Sequence, residues 1–231
     1  MLLQPGDHVL FYGDSITDCG RNRDAAPNDS AGWGFGYAHF CAARLQSEFA
    51  EWDLTISNKG VSGNRVYDLE ERLERDLLAL HPTLVSILIG INDTWRRYDA
   101  GVPSPIEEFE ASYRRIVTTI QDSGARLVIL EPFLLPVSPA ERALRDLSPG
   151  AAQRLGLTSD RRTWREDLSP RIEACRDVAR DVGALYIPLD GLFAQAACRR
   201  EPAFWLPDGV HPSSAGHALI TDAWLSEVVG A

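Results

Sequence analysis

The sequence predicts a three-layer α/β/α fold on a parallel sheet of about five strands. Short apolar, often β-branched runs alternate with longer amphipathic stretches from one end of the 231-residue chain to the other. That alternation is the signature of repeated βαβ units, whose crossovers place helices on both faces of a parallel sheet. Size agrees: with a 45% hydrophobic fraction, a chain of this length can bury a large core without a metal or disulfide staple.

The first strand is expected from His8 to Tyr12, ending at Gly13, and a helix from Trp33 to Ala50 follows. Leu54 to Ser57 supplies the next strand. Val66, Leu69, Leu73 and Leu77 then recur at helical spacing among acidic and basic residues, giving one apolar face. Leu84 to Ile89 reads as a central strand buried on both sides. Ser104 is the expected N-cap of the following helix, with Pro105 at its first position, Glu107 as capping-box partner and Gly124 as the stop. Leu127–Leu130 and Leu185–Ile187 are the remaining strands, separated by a long helical region, and a helix from Ser214 to Val229 ends the series. Residues 136–165 are the least regular. Ser138-Pro139-Ala140-Glu141 forms a capping box there and Ser148-Pro149-Gly150 a boundary, so an irregular helical insertion into a single domain, 1–231, is expected. The sheet is expected to be flavodoxin-like.

Composition narrows the function classes. A formal net charge of -10 disfavours nucleic acid and anionic membrane surfaces as partners. Cys19, Cys41, Cys175 and Cys198 form no C-x-x-C pair and read as reduced, mostly packed thiols. The start of the chain has neither a basic segment nor an apolar core of the signal-peptide kind, and no apolar run is long enough to span a bilayer. A cytoplasmic protein is expected; association into a homo-oligomer stays open.

In open α/β sheets, ligands sit beyond the carboxyl ends of the strands. After the first strand comes Gly13-Asp14-Ser15-Ile16-Thr17-Asp18, after the second Asn58-Lys59-Gly60-Val61-Ser62-Gly63-Asn64, and after the third Gly90-Ile91-Asn92-Asp93. Asp208-Gly209-Val210-His211-Pro212 precedes the last helix. Any one of these blocks, alone, could be a plain turn or cap. Together, in this order, they place a hydroxyl, an imidazole, carboxylates and amide donors along one sheet edge. A serine hydroxyl becomes a nucleophile when an imidazole within hydrogen-bond reach takes its proton. His211 is the leading candidate for that imidazole, and Asp208 could fix its tautomer.

These four blocks resemble those of the GDSL/SGNH hydrolases, in that family's order and over nearly the whole chain. The G-D-S-I-T-D-C-G, N-K-G-V-S-G-N and G-I-N-D-T-W-R-R-Y stretches are closest to its bacterial acetylxylan-esterase branch. The resemblance implies the SGNH hydrolase fold and a serine esterase acting on short-chain acyl esters, such as O-acetyl groups on xylo-oligosaccharides, without a cofactor. It implies Ser15 as nucleophile, Asp208 and His211 as its base system, and the backbone N–H groups of Ser15 and Gly63 with the Asn92 amide as oxyanion donors. Trp95, Arg96, Tyr98 and Trp205 flank these blocks and are expected at the rim, where aromatic faces suit sugar rings.

Two alternatives share the motifs: a thioesterase or lysophospholipase of the same family, and a catalytically inactive carbohydrate-binding relative. Other groups point elsewhere. His8, His39, His81 and His217 have no partners at metal spacing and read as structural or surface residues. Asp14, Asp18 and Asp93 read as charged turn residues, not as a cation site. Gly32, Gly34 and Gly36 do not form a dinucleotide fingerprint, and the G-x-S-x-G elbow is missing.

Overall fold

The computed structural model describes residues 1–137 and 161–230. Strands β1 (His8–Gly13), β2 (Thr55–Gly60), β3 (Leu84–Leu88), β4 (Arg126–Leu130) and β5 (Leu185–Ile187) form one parallel sheet in the order β2-β1-β3-β4-β5. This is the flavodoxin-like order expected, and its direction of winding switches between β1 and β3. Helices α1 (Ser15–Asp18), α2 (Tyr37–Glu48), α3 (Val66–Glu71), α4 (Leu73–Asp76), α5 (Ile91–Asp99), α6 (Ile106–Asp122), α7 (Arg165–Val182), α8 (Leu189–Ala197), α9 (Pro202–Trp205) and α10 (Ser214–Val229) connect and flank it.

Alternation along each strand divides the interior into two cores. Val9, Phe11, Ile56, Leu84 and Leu88 face one way, against Tyr37, Leu45 and Trp224 of α2 and α10. Leu10, Tyr12, Val85 and Ile87 face the other, against Leu69, Tyr113, Ile116 and Val178 of α3, α6 and α7. Two polar groups in these layers are paired across the core: Trp224 donates its indole N–H to Ser86 in β3, and Tyr12 its hydroxyl to the Leu69 carbonyl.

Several local expectations change. The helix foreseen from Trp33 starts at Tyr37, because Ser30–Trp33 forms a 3₁₀ turn and Gly34, which ends it, takes a positive φ of 78°. A Cβ on Gly34 would also stand 2.5 Å from the Asp18 carbonyl, so only glycine fits that crossing. Ser104 does not cap α6. Its hydroxyl is spent on Asp93 and Tyr67, and Pro105 occupies the cap position. The Val66–Leu77 stripe is fully buried as expected, yet its helix breaks at Arg72, where φ is -102° and ψ 6°. Most of the 136–165 insertion, including both its signals, lies outside the described residues; residues 161–164 form a 3₁₀ turn that runs into α7. None of the cysteines is in a disulfide; Cys41 and Cys175 are packed, whereas Cys198 is exposed.

Candidate active site

Three of the blocks leave the sheet at its carboxyl edge, after β1, β2 and β3, and the Asp208–His211 block comes from the loop between α9 and α10. β1 ends at Gly13, which is pinned between neighbours: a Cβ there would meet the Leu88 carbonyl and the Thr17 hydroxyl, both at 2.4 Å. The chain then turns at once into α1, capped by Asp14, whose Oδ1 accepts from the Ile16 N–H at 2.9 Å. Ser15 is thereby the first residue of a one-turn helix. At the other end of the chain, Asp208 organises its own loop: Oδ1 accepts from the backbone N–H of Val210 at 2.9 Å and of His211 at 2.7 Å. Gly209 bridges them at φ 86°, where a Cβ would stand 2.6 Å from the Leu135 carbonyl.

These two loops meet. Ser15 Oγ lies 2.9 Å from His211 Nε2, and His211 Nδ1 lies 2.8 Å from Asp208 Oδ2. With Asp208 ionised, Nδ1 donates to it, leaving Nε2 as the acceptor that faces the hydroxyl. Burial alone would raise the Asp208 carboxyl, but the charge and hydrogen bond of His211 and the two backbone donors outweigh it, bringing it down to about 2. Burial pulls the His211 imidazole down; the Asp208 charge and hydrogen bond, with Asp14 behind them, reverse that and set it above its ordinary value. Asp14 itself is fully buried and pushed up to about 6 by desolvation.

The glycine block stands beside them. Gly63 has φ 84°, and a Cβ on it would meet Arg96 Nη2 at 3.0 Å. Asn92 Nδ2 donates to the Asn64 carbonyl at 2.9 Å, which ties α5 to this loop and leaves the second amide hydrogen for another acceptor. Asp93, wholly buried and raised to about 7 by desolvation, accepts from the Val66 N–H at 3.2 Å and from Ser104 Oγ at 3.2 Å. It clamps the loop from the far side, so it is a buried residue in the first turn of α5 and not the charged turn residue expected. A hydroxyl bonded to an imidazole, the imidazole bonded in turn to a buried carboxylate, and amide donors alongside are the groups that acyl transfer requires.

The sequence model for the GDSL-like lipase/acylhydrolase family matches residues 11–219. The chain belongs to that family. An acetylxylan esterase of Geobacillus stearothermophilus is 31% identical over 232 residues, covering 99% of this chain and 96% of that protein. Its crystal structure superposes with a TM-score of 0.81 at 33% identity, over 99% of this chain and 96% of that one. An α/β hydrolase from the metagenome of Lake Arreo, Spain, superposes at 0.82 with 28% identity, over 99% of this chain and 98% of its own. This member of the family is therefore a carboxylic ester hydrolase.

The expected rim residues divide. The Trp95 ring packs against the His211 ring with centroids 5.5 Å apart, and Arg96 reaches over Gly63 while paired to Asp99. Tyr98 stacks on Trp164 and donates to the Thr163 carbonyl. Trp205 is buried, with the Arg199 guanidinium 5.3 Å from its ring centre. Sequence reasoning passed over Arg161 and Trp164. The Arg161 guanidinium lies in the corner formed by the edge-on rings of Trp95 and Trp164, at 4.2 and 3.7 Å from their centres, and its Nε donates to the Asp208 carbonyl. The Arg-Arg-x-Trp run at 161–164 is a visible signal only once the third dimension brings it over His211. His217 is structural as expected: Nδ1 accepts from the Tyr37 N–H, and burial takes its pKa down to about 4. Among the described residues, no cluster of His, Cys, Asp or Glu has the makings of a metal site, and no helix is long and apolar enough to cross a membrane.

Proposed function

We propose that this family member removes acetyl groups from carbohydrate esters through an acyl-Ser15 intermediate, with no cofactor. The hydrogen-bonded run from Ser15 Oγ through His211 to Asp208 carries the reading. Ser15 Oγ attacks the ester carbonyl carbon as His211 Nε2 takes its proton. The negative oxygen of the tetrahedral intermediate is held by the Ser15 and Gly63 N–H groups and the Asn92 amide, donors fixed before the charge appears. Collapse breaks the bond to the alkoxide, which leaves with the proton from His211. Water, deprotonated by the same imidazole, then attacks the acyl carbon and releases acetate and Ser15.

A short acyl group on a sugar is supported by the likeness to the acetylxylan esterase and by polar surroundings. An open cavity of about 410 Å³ beside Gly63 is lined by Ser62, Asn64, Arg65, Asp68 and Arg96, with Val102 its one large apolar wall. Neither Ser15 nor His211 lines it, so it would serve the part of the substrate beyond the ester, where such a lining suits hydroxyl groups better than a long acyl chain. Arg96 and Trp95 are the rim residues we assign to substrate; Tyr98 acts through the Trp164 ring on which it stacks, and Trp205, packed against Phe204, is left out of the substrate set. The test is a panel graded by acyl length and by alcohol. Acetylated xylosides and p-nitrophenyl acetate should be turned over far better than octanoyl esters, lysophospholipid or acyl-CoA. Equal or higher kcat/KM on the long acyl chains or the thioester would refute the assignment and favour a lipase or thioesterase.

A further inference from the structure

We propose that Arg72 is a positioning residue for the oxyanion donors, tying the strand end that carries Ser15 to the loop that carries Gly63. The inference rests on Gly63 and Asn92 holding the oxyanion. In the sequence Arg72 is one charge among many on an amphipathic helix. In the fold it stands at the break between α3 and α4 and is only 7% exposed. From there its guanidinium makes contacts in fixed directions. Nη2 donates to the Gly13 carbonyl at 3.0 Å, Nη1 to the Lys59 carbonyl at 2.8 Å, and Nε to Asn64 Oδ1 at 2.7 Å. Gly13 ends β1 two residues before Ser15, Lys59 lies at the end of β2, and Asn64 follows Gly63.

The same Asn64 accepts the Asn92 amide on its carbonyl. One side chain therefore sets both donors: Gly63 through the peptide next to it, and Asn92 through the acceptor that fixes its rotamer. Arginine is the side chain that can do this, because its donors lie in one rigid plane, whereas lysine offers a single mobile point. Charge is not the main contribution. Asp76 pairs with the guanidinium at 3.0 Å and the Tyr12 ring covers it at 4.4 Å, while on Asp14, beside Ser15, the Arg72 charge is the last of the influences that lower the carboxyl.

The test compares kcat, KM, the acid limb of the pH profile and thermal stability for Arg72→Lys, Arg72→Met, Asn64→Ala and Asn92→Ala, using p-nitrophenyl acetate. Displacing oxyanion donors by about 1 Å should lower kcat roughly 10- to 100-fold in both Arg72 variants, with KM and the His211 limb unchanged. Asn64→Ala should lose about tenfold, and adding it to Asn92→Ala should cost clearly less than tenfold more, since the share of the loss that runs through Asn92 is already gone and only the Gly63 share is left. If the Arg72 variants do not fold, Asn64→Ala and the double variant decide alone. Full kcat in Arg72→Lys would mean that charge, not the fork, matters, and would overturn the proposal. So would full kcat in Asn64→Ala while Asn92→Ala is impaired, or additive losses in the double variant. An unimpaired Asn92→Ala would remove the oxyanion reading itself, and this inference with it.

Discussion

Asp208→Asn separates the two jobs that one carboxylate performs. Oδ1 accepts from two backbone N–H groups, and an amide oxygen can take its place. Oδ2 accepts from His211 Nδ1 at 2.8 Å, and there the variant would present an NH₂ group. A donor facing Nδ1 turns the imidazole to its other tautomer, with the proton on Nε2 and no lone pair for the Ser15 hydroxyl. The loss in kcat should be about 10³- to 10⁴-fold, or roughly 4–5.5 kcal/mol of barrier. Stability should change far less. Asp208 is lowered from 3.8 to about 2, equivalent to roughly 2 kcal/mol favouring the ionised, folded form. Because the folded pKa is depressed, that contribution is complete above pH 3.8 and is lost as pH falls through about 2. The variant should therefore melt about 4–8 °C lower at pH 7, and the gap should close as pH falls from about 4 towards 2. Steady-state hydrolysis of p-nitrophenyl acetate and calorimetry across that pH range measure both. A kcat within about tenfold of wild type would refute the tautomer role, since loss of the accepting nitrogen cannot be so mild.

Ser15→Ala should lower kcat by at least about 10³-fold and abolish labelling by a fluorophosphonate; retained labelling would place the nucleophile elsewhere. Asn92→Ala should cost about 10²–10³ in kcat at constant KM, and a rise in KM alone would make it a ground-state contact. Only neutral imidazole accepts the Ser15 proton, and His211 is raised, so kcat/KM should fall as pH drops through a midpoint above 6.5. A profile flat from about pH 5 to 9, a range spanning an ordinary imidazole pKa, would rule His211 out as the base. Gly63→Ala forces a Cβ into a φ of 84° and against Arg96 Nη2; kcat should fall by tenfold or more, roughly, with only a small loss of stability, and unchanged kcat would remove Gly63 from the donor set.

What could be read from the chain alone was local or repetitive. The strands declared themselves as apolar runs, and the Ser15, Gly63, Asn92 and His211 blocks as unusual residues following them. Ser104 misled because a serine before Pro105 looks like a cap, whereas Asp93 and Tyr67, distant in sequence, claim its hydroxyl. Asp93 misled in the opposite sense: acidic residues near a strand end are usually solvated, and this one is wholly buried. Arg72 and Arg161 were invisible for a further reason. An arginine on an amphipathic helix or after an irregular stretch has no sequence mark distinguishing a surface charge from a buried fork. Its decisive partners here, Gly13 for one and Trp95 and Asp208 for the other, come from remote segments.

Ser15 and His211 are 196 positions apart, one leaving the first strand and the other introducing the last helix. Hydrolysis is thus a property of the finished topology and of no intermediate part of it. During refolding, recovered turnover would report that the two ends of the chain have met, which sheet or helix signal does not. The same separation lends itself to fragment complementation. The turn at Ala100-Gly101-Val102 is exposed, and Gly101 has no neighbour within 4 Å of an added Cβ. A cut there leaves Ser15, Gly63 and Asn92 on one piece and Asp208 with His211 on the other, each inert until the two reassociate.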